Sequence, residues 1–161
     1  MTRALLLRTD GTHRRVDLPD KNAHVTVSQL VADGDAFDCV HDPERRIRGY
    51  LHDRGLILGL SVNPVASLLF NMNLVGDVLV TNPHNHKGEA DGYDYDLDDR
   101  WFDGRTLLTF KEISADESIR KALEEDIRNM DFSHHMFSLT EEQMKEYLVS
   151  GEIPPDARRV S

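Results

Sequence analysis

The stretch that most restricts the fold is Asn63-Pro64-Val65-Ala66-Ser67-Leu68-Leu69-Phe70 with the apolar run behind it. Asn63 is placed to accept a backbone N–H bond at a helix N-terminus, and Pro64 suits the first helical position, where its missing donor is not needed. Val65, Leu68 and Leu69 fall at i, i+3 and i+4, so a helix of about two turns carries one apolar face that has to be buried against a sheet. Asn71-Met72-Asn73 ends it. Leu74-Val75-Gly76-Asp77-Val78-Leu79-Val80 follows as a nearly continuous apolar run, the pattern of a strand inside a core. Upstream, Ile47 to Asp53 and Leu56 to Val62 are predicted strands around a tight turn at Arg54-Gly55.

The flanking sequence adds strands and helices of one style. Arg3 to Thr9 and Thr12 to Leu18 form a predicted hairpin across Asp10-Gly11, because both central positions of such a turn favour positive φ. Val27, Leu30 and Val31 suit a helix over 25–32, capped by Thr26 and stopped by Asp33-Gly34. A strand around Phe37-Asp38-Cys39-Val40 and the strand from Ile47 flank a turn at Asp42-Pro43-Glu44, a second antiparallel hairpin. After Gly104, Arg105 to Phe110 reads as a further strand. Ser114-Ala115-Asp116-Glu117 is a capping box, and Ile119, Leu123, Ile127 and Met130 then recur at helical spacing, a stripe expected to lie on the sheet. A last helix is expected from Thr140, with Leu139 and Met144 as its hydrophobic staple, to Gly151. The expectation is an α+β fold with a mainly antiparallel sheet and three to four packed helices. It forms a single domain over 1–161, with an acidic inserted loop at about 82–103 and a C-terminal helical extension at about 114–151.

In its central segment the chain resembles a small domain family of unknown function found in bacteriophages, large DNA viruses and bacterial mobile elements. The residues that carry the likeness are Tyr50-Leu51-His52-Asp53-Arg54-Gly55, Leu60, Asn63-Pro64-Val65-Ala66 and Gly76-Asp77-Val78-Leu79-Val80, preceded by the strand at Phe37 to Val40. They span 30–83, about a third of the chain. Asp33-Gly34-Asp35 stands where the family commonly has a Gly-Gly pair. The resemblance implies a phage or mobile-element setting and brings no established activity.

Composition narrows the function classes. A chain of 161 residues with 39% hydrophobic content can bury a substantial core. No stretch approaches the roughly 18 apolar residues of a membrane span, and Met1 to Leu7 is too short for the apolar core of a signal peptide, so a cytosolic protein is expected. Its one cysteine, Cys39, falls in a predicted strand and is expected to be a buried, inert thiol. The net charge of −10 argues against sequence-independent nucleic-acid binding, which draws its affinity from clustered Lys and Arg releasing counterions. Oligomeric state is left open, a homo-oligomer included.

Several clusters are candidates for function. Tyr93, Asp94, Tyr95, Asp96, Asp98, Asp99 and Trp101 interleave aromatics with carboxylates, as a partner-binding surface does, and the acids would steer a basic host protein or imitate a nucleic-acid backbone. The competing reading is that the aromatics pin the loop to its own domain. A second candidate is a small anionic ligand, such as a nucleotide signal, held by Arg45, Arg46 and Arg48 near the helix N-terminus at Asn63. A third is a metal-dependent hydrolase using His84 and His86 with Glu89, Asp91, Asp94 or Asp96, although their spacing matches no established site and the composition favours a solvated loop. The sixth-position Gly and twelfth-position Glu of a calcium loop are missing after Asp94. Ser133-His134-His135 reads as a linker, since there is no Gly-x-Ser-x-Gly elbow, and no glycine-rich phosphate loop occurs. No catalytic residue and no cofactor is assigned. The first choice is a non-enzymatic accessory protein that binds a host protein.

Overall fold

The computed structural model describes residues 1–129, together with 137–138 and 158–159. The chain is α+β, and among the described residues every strand pairing is antiparallel. The first hairpin joins β1 (Thr2–Leu7) to β2 (His13–Leu18). The chain turns at Asp10-Gly11 as expected, but only Gly11 has positive φ, 86°; the turn is a longer loop closed by Arg8 N–H on Thr12 O, in which the Asp10 carboxylate accepts the Thr12 N–H at 2.9 Å. The second joins β3 (Phe37–Asp42) to β4 (Ile47–His52). Between these hairpins lies β5 (Val78–His84), giving the order β2-β1-β5-β4-β3, and β6 (Ala90–Tyr95) pairs with the far half of β5.

Both faces of this sheet are covered, which explains why β1 and β5 read as apolar runs without alternation. On one face, Leu5, Leu7, Val78 and Val80 pack with Ile47, Val65, Leu69, Phe70, Leu97, Trp101 and Leu107. These come in part from α2 (Pro64–Phe70), α3 (Arg100–Asp103) and α4 (Arg105–Ser114). On the other face, Ala4, Leu6, Val16, Leu18 and Leu79 pack with Val27, Val31 and Ala32 of α1 (Ala23–Ala32). Gly49 has to be glycine for this packing, since a Cβ there would come within 2.8 Å of the Phe70 ring.

The cap at α2 forms as the sequence predicts. The Asn63 side chain accepts from Ala66 N, Pro64 takes the first helical position, and Asn71 closes the far end in the left-handed region. Buried Asn63 does more, because its Nδ2 donates to Leu7 O at 3.0 Å and to Gly76 O at 2.9 Å, tying the helix to β1 and to the approach of β5.

Elsewhere the structure corrects the sequence-based expectations. Leu56 to Val62 is a series of tight turns, with Leu58 N–H on Arg54 O, Leu60 N–H on Gly55 O and Gly59 at φ 68°; only Val62 forms a bridge, to Val75. Ile57 and Leu58 are 52% and 50% exposed, so their apolar character does not mark a buried strand. Gly76, at φ 77°, delays the start of β5 to Val78, and the strand then runs through Asn82-Pro83, where a break is expected. Pro83 has no N–H to offer, and the ladder with β6 shifts register at that point, between Asn82 and His84. The 82–103 segment is therefore a hairpin followed by a helix, and not a loop. Arg105 to Phe110 is helical, because Leu107 and Phe110 face the core one turn apart and Thr109 bonds back to Arg105 O at 2.9 Å.

Helix ends differ as well. α1 starts at Ala23, leaving Thr26 inside the helix, with Asn22 as a left-handed N-cap that makes no side-chain bond. Ser114 belongs to the end of α4, and Asp116 instead caps α5 (Glu117–Asn129) by accepting Ser118 N–H at 2.9 Å. No residue of α5 is buried, so Ile119, Leu123 and Ile127 do not form the expected core stripe.

Backbone packing separates Met1–Ile127 from a second unit, Arg128–Ser161. Within the latter, β7 (Phe137–Ser138) pairs with β8 (Arg158–Arg159). Met130, Ser133-His134-His135 and the helix expected over 140–151 lie outside the described residues.

Candidate functional site

The β5–β6 hairpin is where most of the candidate residues gather, and one carboxylate fixes it to the sheet. Asp94 Oδ1 accepts from Thr81 Oγ1 at 2.6 Å and from Arg48 Nη1 at 3.0 Å, while Oδ2 accepts the Tyr50 hydroxyl at 2.6 Å. Arg48 also donates to Tyr50 Oη at 3.1 Å and its Nε lies 3.1 Å from His41 Nε2. Burial, and then the hydrogen bond to Asp94, push the Tyr50 hydroxyl up to about 12. The Arg48 and Asp94 side chains are 11% and 21% exposed. Asp94 is thus not part of an outward acidic surface and Arg48 is not part of an anion pocket; each neutralises the other, as partly buried charges must be.

The remaining predicted surface residues divide in two. Tyr93 stands out at 71% exposure, and beside it the Tyr95 hydroxyl donates to Asp91, holding that carboxyl below the usual range while raising Tyr95 itself. Asp99 is 73% exposed and pairs with Arg3 at 2.9 Å. Asp96 accepts the Arg3 N–H at 2.7 Å, tying the segment after β6 to β1, and Asp98 accepts the Arg100 N–H at 2.9 Å at the start of α3, so both carboxylates serve the backbone. Trp101 is buried in the core and is excluded as a contact residue; it anchors α3 beneath the sheet with Leu97.

The arginines do not assemble around Asn63. Arg45 Nη1 donates to Leu69 O at 3.3 Å, at the C-terminal end of α2, whereas Asn63 caps its N-terminus and spends all three of its hydrogen bonds on the backbone. Arg45 also pairs with Asp42 at 2.6 Å and lies over the Phe110 ring. Burial alone would raise the Asp42 carboxyl, but the hydrogen bonds from Arg45 bring it below its ordinary value.

Arg45 and Arg46 instead line a cleft of about 230 Å³ with Asn82, His84, Asn85, Leu97, Asp98, Arg100 and Trp101. Its walls are the β3–β4 turn, the β5 arm of the β5–β6 hairpin up to its turn at Asn85, and the start of α3. Residues of all three sequence-based proposals meet here. Asn82, Asn85 and Arg100 carry no motif, and only their turn-forming type hints at their place: Asn85 Oδ1 accepts from Lys87 and Glu89 N–H, closing the hairpin.

Among the described residues, no group of three or more His, Cys, Asp or Glu side chains is arranged to hold a metal ion. His84 and His86 accordingly lack the carboxylate partners proposed for them. Cys39 is exposed and not buried, since β3 is an edge strand and the thiol lies on the sheet face beyond the cover of α1. No described helix is long and apolar enough to cross a membrane. Compared with protein families, with curated proteins and with solved structures, the chain shows no significant match.

Proposed function

We propose that the chain is a non-enzymatic accessory protein of phage or mobile-element type that binds a host protein through the outer side of the β5–β6 hairpin. The observation that carries this reading is Tyr93, 71% exposed on a ribbon whose inner side Asp94 bonds to the sheet and whose turn Asn85 closes. A tyrosine offers a large amphipathic contact area with only two side-chain torsions to order on binding, which makes it an efficient anchor. Asp91 and Tyr95 alternate with it along β6, and the Asp91 carboxylate favours a basic partner surface. The contact set is narrower than the full acidic segment, because Asp94 and Trp101 face inward. The phage setting rests on the resemblance of residues 30–83, and the formal charge of −10 weighs against a nucleic-acid partner.

Affinity capture from host lysate, followed by titration of the captured protein in purified form, tests the proposal. Tyr93→Ala combined with Asp91→Lys is expected to weaken that complex at least tenfold while circular dichroism and melting stay unchanged. An affinity equal to that of the original chain would overturn it.

A further inference from the structure

The cleft between the β3–β4 turn, the β5 arm of the β5–β6 hairpin and α3 concentrates positive charge in a strongly acidic protein. Three arginines face one aspartate there, Asp98, against a whole-chain charge of −10. Arg45 is balanced by Asp42, but among the described residues neither Arg46 nor Arg100 has a carboxylate within ion-pair distance. The Arg100 guanidinium is nevertheless held. Arg100 lies over the Trp101 ring at 5.3 Å and donates to Arg45 O at 3.1 Å, and the Arg46 head sits against Gly88, where a Cβ would be 2.9 Å from its Nη2. His84 lines the same cleft, and its buried Nδ1 has no hydrogen-bond partner among the described residues.

We infer that this cleft is a binding site for a compact phosphate-bearing anion, with Arg46 and Arg100 as its charged arms. Planar guanidinium groups match the tetrahedral oxygens of phosphate through paired N–H donors. At about 230 Å³ the space is small beside the roughly 300–1,000 Å³ of ordinary small-molecule pockets, a size that suits phosphate or a small phosphate ester. The site is independent of the host-protein surface, since Tyr93 does not line it.

Isothermal titration of the full chain with inorganic phosphate, with glycerol phosphate and with sulfate at matched ionic strength tests the inference. Saturable binding of phosphate or the ester is expected, weakened at least tenfold by Arg46→Gln and by Arg100→Gln. Arg15→Gln, on the exposed outer strand, should leave it unchanged. Tighter binding of the ester would identify an esterified ligand, and equal or weaker binding would identify the free ion. Absence of saturable binding by both, or an equal loss in Arg15→Gln, would overturn the site.

Discussion

Asn63 shows how one side chain can settle a local structure. Its cap on α2 was legible because Asn-Pro before an apolar helix is a short-range signal; its two bonds to Leu7 and Gly76 carbonyls were not, as they join positions 56 and 13 residues away. Asn63→Ala removes the cap and leaves two buried carbonyls short of a donor, a loss on the order of 3 kcal/mol. Urea denaturation should show this as a lower midpoint at unchanged slope. Tyr50 makes a second prediction. Between the ordinary phenol value of 10.0 and about 12, the unfolded chain releases a proton that the folded chain keeps. Stability contributed by this group is complete below that window and declines as pH rises through it. Melting temperatures followed from about pH 9 to 11.5 should fall less steeply for Tyr50→Phe than for the original chain.

Among the elements, α2 and the two N-terminal hairpins were legible, and the β5–β6 hairpin and α4 were not. The hairpin lacks apolar alternation because its inward positions are polar: Thr81 and Asp94 face Arg48 and Tyr50, and that network is satisfied only in the tertiary structure. Period-based reading sees acids and glycine there and infers a loop. α4 misleads differently, since two threonines and two leucines in six residues suit a strand by composition, while the decisive Leu107 and Phe110 spacing gives only one repeat of the helical period. The cleft was hidden for a third reason. Arg45 and Arg100 are 55 residues apart, and the bond from Arg100 to Arg45 O that joins them across the cleft exists only in the tertiary structure.

On the scale of the whole sheet, β5 is the shared neighbour of β1, β4 and β6, and its first half is buried on both sides. Opening it requires separating three ladders at once, so the amides of Val78 to Thr81 should be the slowest to exchange, at rates set by global unfolding. Native-state hydrogen exchange by NMR checks this; faster exchange there than in β2 would contradict it.

The same strand order bears on how the chain is made. The first two ribbons have no ladder in common, for β1 and β4 each pair with β5 instead. On the ribosome, the β1 and β4 edges emerge facing nothing, and neither can be sealed until the stretch up to Thr81 has been synthesised. Translation speed across 53–81 therefore sets how long those edges stay open to pairing with neighbouring chains, and slow codons in that interval would lower the yield of soluble protein without altering a single residue.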